Sequence, residues 1–280
     1  MAIRHLLMLS TLIATTQLCL AGTAGQPVAH QTGFYAGIGA TYNFLRNDFN
    51  SSGSLHAQSG LPPTGLFTAR DQDYHHNRQV LIPQAEAGYF QPLKQSGWLW
   101  GLALNYQYTG LATIANAADQ NAGTLIPFYN PSVNVLNELQ INRIATKLYD
   151  QLLLPIFVGK SFDRGFVYGG AGPAWFRVQY TLSPSADTSS GLYAGNLQGF
   201  ADRDSLWGGV FQAGLAWYLN SDCFVKLNYS YALSEKNNIR FVSHFTPAVN
   251  GGLNTGRLAL NHDQRLSVQG IGLSINKILV

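Results

Sequence analysis

Between Gly33 and Ile278 the chain passes through eight segments in which apolar and small or polar residues alternate, and the spacers between them run long, short, long, short. A period of two sends successive side chains to opposite sides of an extended backbone, so each segment reads as a strand with one apolar face. The most regular covers 98–109, with Trp98, Trp100, Leu102, Leu104, Tyr106 and Tyr108 on one side and Gly101, Ala103, Asn105, Gln107 and Thr109 on the other. Aromatics at both ends with leucines between them match a strand crossing a bilayer, because Trp and Tyr prefer the two headgroup interfaces.

The other segments follow the same logic. Gly33–Phe44 sets Phe34, Ala36, Ile38, Ala40, Tyr42 and Phe44 against Tyr35, Gly37, Gly39, Thr41 and Asn43. Gln79–Gln91 sets Leu81, Ala85, Ala87 and Tyr89 against Gln84, Glu86 and Gly88, and Lys147–Ser161 turns Leu152, Leu154, Ile156 and Val158 to lipid, with Leu153 and Phe157 blurring the pattern. Sorting by polarity turns Phe166, Tyr168, Phe176, Val178 and Tyr180 of Phe166–Leu182 outward, and Arg177, Gln179 and Thr181 inward. Asp204–Leu219 has Trp207, Phe211, Ala213, Leu215 and Trp217 out against Gln212, Gly214 and Ala216. Cys223–Ser234 has Val225, Leu227, Tyr229, Tyr231 and Leu233 out against Lys226, Asn228 and Ser230. Gln264–Ile278 opposes Ile271, Leu273 and Ile275 to Gly270, Gly272, Ser274 and Asn276.

Eight strands is the smallest number found in membrane barrels, and side chains alone can fill such an interior. The long spacers, 45–78, 110–142, 183–203 and 235–263, read as extracellular loops, and the short ones, Pro92–Gly97, Phe162–Gly165 and Asn220–Asp222, as periplasmic turns. Pro83, Pro155 and Pro173 fall inside expected strands, where a missing N–H predicts a bulge or a strand end. Ser132–Ala145 is open to two readings, a short surface helix or an extension of the hairpin above the membrane.

Composition agrees. Only 11% of residues are charged, far below the roughly 25% of an ordinary soluble domain, and the net charge of +3 is too small to argue for nucleic acid. Arg4 and His5 lead into an apolar run from Leu6 to Leu20 and then the small residues 21–25, the layout of a secretory signal peptide. The expected organisation is a leader over 1–24, cut near Ala21 or Ala24, and a β-barrel over 25–280. Cys19 lies in that leader and Cys223 in the body, a count that does not describe a disulfide-stapled secreted domain.

The opening Gly33-Phe34-Tyr35-Ala36-Gly37-Ile38-Gly39-Ala40, the strand Leu152–Gly159 and the strand Gly270–Ile275 resemble those of small Gram-negative outer-membrane β-barrels of the opacity-protein and OmpA-transmembrane-domain type. The resemblance implies an all-β fold, an eight-stranded antiparallel up-and-down transmembrane barrel inserted by the outer-membrane assembly machinery. It also implies a function carried by surface loops. The chain departs from that group in ending Asn276-Lys277-Ile278-Leu279-Val280 rather than on an aromatic.

Candidate chemistry is sparse. His56, His75, His76, His244 and His262 fall in the first and fourth long spacers, without metal-ligand spacing. Ser243-His244 and His262-Asp263 supply the residue types of a hydrolase, but adjacent strand positions face opposite ways. Glu86, Arg177 and Lys226 read as lumen charges of both signs, which points to mutual pairing that plugs the lumen rather than to a charged ring of a selective pore. No catalytic, cofactor-binding or metal-binding residue is assigned. The expected role is structural or surface recognition, with a small transport barrel as the alternative and a lipid A-modifying enzyme behind it. Expected partners are outer-membrane lipid and lipopolysaccharide, the assembly machinery, and host or other extracellular macromolecules met through 45–78, 110–142, 183–203 and 235–263.

Overall fold

A computed structural model describes residues 32–59, 65–93, 96–116, 120–127, 135–141, 143–182, 185–188, 194–196, 200–247 and 254–279. The expected leader lies outside the described residues. The strands are β1 (Gly33–Ser59), β2 (Gly65–Pro92), β3 (Trp98–Asn116), β4 (Gln120–Pro127), β5 (Val135–Ile141), β6 (Arg143–Leu153), β7 (Ile156–Phe162), β8 (Gly165–Leu182), β9 (Ser185–Thr188), β10 (Ala194–Asn196), β11 (Phe200–Tyr218), β12 (Cys223–Ser234), β13 (Asn237–Pro247) and β14 (Asn254–Leu279).

Antiparallel ladders close the lower part of the molecule into a ring of eight staves. β1 pairs with β2, β2 with β3, and β3 with the collinear pair β6 and β7. That stave pairs with β8, followed by β11, β12 and β14, and β14 returns to β1. Below the Gln84–Gln107 pair closure leaves no strand edge in the hydrocarbon, where an unpaired N–H or C=O has no water to turn to. The staves are joined at one end by the three short turns that the spacing predicts. Gly97, in the first of them, sits at φ +64°, a conformation that favours glycine.

The outer surface carries the membrane's imprint. Leu102, Leu104, Ile156, Val158, Leu227, Ile271 and Leu273 are exposed apolar residues around the wall. At the short-turn end Phe34 stacks near Tyr89 (5.0 Å), Tyr89 near Trp100 (6.0 Å) and Phe162 near Trp217 (5.9 Å). Tyr42, Tyr106, Tyr108, Trp207 and Tyr229 are exposed towards the opposite end. The step from Trp98 to Tyr108 on β3 covers roughly 34 Å of strand, about 26 Å of height at a barrel tilt near 40°. That matches a lipid-facing band, with Trp98 and Trp100 at the periplasmic interface and Tyr106 and Tyr108 at the outer one, as the sequence predicts.

The long spacers are not loops over most of their length. β1, β2 and β14 run on unbroken for 27, 28 and 26 residues. The other staves are continued by separate segments: β3 by β4, β6 by β5, β8 by β9, β11 by β10 and β12 by β13. These pair in the same circular order, β1, β2, β4, β5, β9, β10, β13, β14 and back to β1, so a second storey of eight strands stands on the first. Ser132–Ala145 accordingly contributes β5 and the start of β6, the second of its two sequence readings. Polarity alternation missed the upper storey because it records a lipid boundary. Strands bathed in water on one side can be polar on both faces, and only the hydrogen-bond ladder marks them.

The prolines explain where the lower wall is interrupted. The β2–β3 ladder stops at Gln84–Gln107, one residue from Pro83. Pro155 separates β6 from β7, yet Leu153↔Ala174 and Ile156↔Ala171 keep one register across the gap, so the stave runs straight. Ala103 donates to Pro155 O and Leu154 donates to Pro173 O, both at 3.0 Å, while the reciprocal bonds have no donor. Two prolines on adjacent staves therefore each remove one bond from the same short stretch, and β8 continues through Pro173. A β-bulge between Tyr108 and Leu111 contains Gly110 at φ +56°.

Candidate functional site: the lumen and the upper storey

The lumen is filled in layers. At the periplasmic end Tyr35, Phe90, Phe157, Phe166, Tyr168 and Phe224 are buried together, with Tyr218 against them. Their rings meet edge-on or tilted, for example Tyr35–Phe224 at 5.3 Å, Phe157–Tyr168 at 5.3 Å and Phe90–Phe166 at 5.6 Å. A narrow barrel accommodates such rings because neighbouring staves place glycine beside them. Tyr35 pairs with Gly88, Phe157 with Gly101 and Tyr168 with Gly214. A Cβ at Gly88 would lie 2.5 Å from the Tyr35 ring, and one at Gly214 would lie 2.8 Å from Tyr168 Cζ.

Above the rings, Lys226 Nζ donates to Glu86 Oε2 at 2.9 Å, with both side chains buried. The ammonium also lies 5.7 Å and 5.1 Å from the ring centroids of Tyr35 and Tyr168, and Ser274 Oγ donates to Glu86 Oε1 at 2.9 Å. An unpaired charge at this depth would be strongly unfavourable, and this pair has both an opposite charge and additional polar partners. Next comes an amide layer. Thr41 donates to Gln84, Asn43 Nδ2 to Gln107 Oε1 (2.9 Å) and Gln151 Nε2 to Gln107 Oε1 (2.6 Å). Towards the outer end Leu45, Leu148, Phe176, Val178, Leu206, Val210, Leu266 and Val268 form a second apolar cluster. Gln264 spans it, donating to Asn47 Oδ1 (2.6 Å) and Thr146 Oγ1 (3.1 Å).

The sequence expectation for lumen charges holds for Glu86 and Lys226 and fails for Arg177. Arg177 is on the outside of β8, where it pairs with Asp150 of β6. The same inversion covers the whole stave: Phe166, Tyr168, Phe176, Val178 and Tyr180 are buried in the lumen. Val167 is exposed on the other face, and Thr181 and Arg177 are exposed with it. Sorting β8 by polarity fails because this lumen holds two apolar clusters, so the apolar face of a stave is not always its lipid face. Leu153 and Phe157, which blur the fourth segment, are lumen residues for the same reason. Asp150 escaped the sequence reading because an extra residue in β6, between Leu148 and Asp150, shifts the alternation by one.

The five spacer histidines lie on β1, β2, β13 and β14 of the upper storey. His56 of β1 and His244 of β13 both pair with Arg257 of β14, while His262 pairs with Ser51 and Ile239. His75 and His76 pair with Asp48 and Asn47. Arg257 and His262 are separated by roughly 17 Å of strand, which sets the backbones of His244 and His262 the same distance apart along the β13–β14 ladder. Asp263 binds Lys236 Nζ (2.6 Å) and accepts from Asn238 Nδ2 (2.5 Å). Among the described residues no group of three His, Cys, Asp or Glu could hold a metal ion.

No family model matches the chain, and no curated protein matches it in sequence. Among solved structures it is similar to the outer membrane protease OmpT from Escherichia coli (10% identity, 88% of this chain and 97% of that one, TM-score 0.42). It is also similar to Ail, the attachment invasion locus protein of Yersinia pestis (8% identity, 84% and 99%, TM-score 0.31). A third likeness is to the outer membrane protein OprG from Pseudomonas aeruginosa (12% identity, 88% and 98%, TM-score 0.31). Ring closure, the lipid-facing band and the two aromatic girdles stand independently of these likenesses. Together they make this chain an integral outer-membrane β-barrel of eight antiparallel staves.

Proposed function

We propose that the protein is a non-conducting barrel that presents its upper storey as a recognition surface for extracellular macromolecules. The filled lumen carries this reading: an aromatic layer, a buried ion pair, an amide layer and a second apolar cluster succeed one another along the axis. A solute would have to displace all four layers to pass. What projects beyond the membrane is the second storey, built on long unbroken strands that give its tips a rigid base. Residues 1–24 act in this reading as a cleaved leader, and insertion follows the outer-membrane assembly route. Purified full-length protein in planar bilayers is expected to show no steady openings; reproducible conductance would overturn the proposal.

The wall itself supports a second reading. Above Gln84–Gln107 the described residues of β2 and β3 no longer pair, and Arg78 Nη1 crosses that seam to Ala112 O at 2.6 Å. Because the seam opens at the outer girdle, a small apolar solute could leave the upper storey sideways into lipid without crossing the filled lumen. Alkane uptake into cells expressing the protein, compared with an Arg78→Ala variant, tests this; unchanged uptake relative to empty cells removes it.

A further inference from the structure

A cluster of cations stands on the lipid-facing wall immediately above the outer girdle. On β6, β8 and β11 the pairing Lys147↔Gln179↔Arg203 sets two basic residues in one row, their backbones roughly 10 Å apart. Arg177 lies two residues below Gln179 on the same face, next above Trp175 and Trp207, which are paired. The bulge in β6 leaves Tyr149 between them, its hydroxyl donating to Gln179. Lys147 Nζ, Arg177 Cζ and Arg203 Cζ lie 4.5, 5.9 and 5.7 Å from the centroid of that ring. Asp150 neutralises Arg177 and accepts a further bond from Tyr106 Oη at 3.3 Å.

Three like charges around one ring repel each other. Among the described residues Asp150 is the acid bonded to this cluster; Glu235 accepts from Trp207 N (3.3 Å) four residues below Arg203 along β11, and strand alternation sends Asp202 and Asp204 to the opposite side of β11 from Arg203. The cluster thus carries an excess of positive charge at a height where the wall leaves the hydrocarbon and meets headgroups. We propose that Lys147, Arg177 and Arg203, organised around Tyr149, bind the phosphate groups of an outer-leaflet glycolipid of the lipid A class. Lys147 and Arg203 clamp a phosphate across Gln179, Arg177 bonds it from below, and the acyl chains lie along the apolar wall under Trp175 and Trp207. This site is independent of whether the lumen conducts.

The test is native mass spectrometry of the full-length protein in mild detergent, titrated with bisphosphorylated lipid A, dephosphorylated lipid A, inorganic phosphate or a sulfated disaccharide. The wild-type protein is expected to retain bisphosphorylated lipid A in preference to the dephosphorylated form. Removing two surface cations in Lys147→Gln/Arg203→Gln is expected to weaken that binding roughly 30-fold, with no change for the dephosphorylated lipid. Equal retention by the variant, or no preference for the phosphorylated lipid, overturns the proposal. Inorganic phosphate or sulfated sugar binding as well as the lipid overturns the lipid assignment in favour of a general polyanion site. If the variant loses its heat-modifiable folded band, the wild-type comparison of the two lipids decides alone.

Discussion

β8 and β12 are both staves of one barrel with the same alternation, and they face opposite ways. β12 sends Lys226, Asn228 and Ser230 inward and exposes Leu227 and Tyr229. β8 buries Phe166, Tyr168, Phe176 and Val178 in the lumen and leaves Arg177 and Val167 outside. The difference teaches that alternation sets the period of a strand and leaves its phase to its neighbours. On β12 the phase follows from Glu86 across the lumen, which needs a cation. On β8 it follows from Gly214 on β11, which pairs with Tyr168 and leaves room for its ring.

The largest test of that contrast is to remove one partner of the pair β12 supplies. Glu86→Gln or Lys226→Met alone is expected to cost about 3–5 kcal/mol, because the remaining charge is buried and unpaired. The double variant should recover most of the loss in urea unfolding from lipid vesicles. Single variants within about 1 kcal/mol of wild type would mean that the pair is wetter than its burial indicates.

A cation on the lipid face of β12 should be nearly as disruptive. Leu227→Arg is expected to cost about 2–4 kcal/mol near the bilayer midplane, although β8 carries Arg177 on its own outer face. The difference is height, since Arg177 stands above the outer girdle. A Leu227→Arg barrel of wild-type stability would break the assignment of the lipid band.

The same substitution on the two faces of β8 sharpens the phase directly. Val178→Ala, at a lumen position, should cost about 2 kcal/mol, while Val167→Ala, on the wall, should stay within about 0.5 kcal/mol. Equal losses would contradict the inward burial of β8. The smallest effect is a labelling contrast without stability change. Against the background of the unsubstituted chain, Val167→Cys in vesicles should react with a lipid-soluble maleimide and Phe166→Cys should not.

Much of the lower storey was legible because lipid writes a pattern into sequence. Leu102 and Leu104 flanked by Trp and Tyr, and Gly270, Gly272, Ser274 and Asn276 opposite Ile271 and Leu273, identify wall and lumen without a structure. The upper storey was hidden for the converse reason. β1 beyond Leu45 reads Arg-Asn-Asp-Phe-Asn-Ser-Ser, which lacks any apolar period, yet it pairs residue by residue with β14 up to Ser59. Asp150 and Tyr149 were hidden by a bulge, a one-residue phase shift that only a partner strand can register.

The sequence by itself determined the number of membrane staves, the short-turn end, the girdles and the inward placing of Glu86 and Lys226, because each follows from transfer of side chains between water and lipid. The tertiary structure decided the rest: which face of β8 looks inward, the continuation of five staves into a second storey, and the gathering of Lys147, Arg177 and Arg203 around Tyr149. Those features depend on hydrogen-bond register and on the space beside glycines across the sheet. Both are properties of neighbouring strands, and neither is written in the period of any one of them.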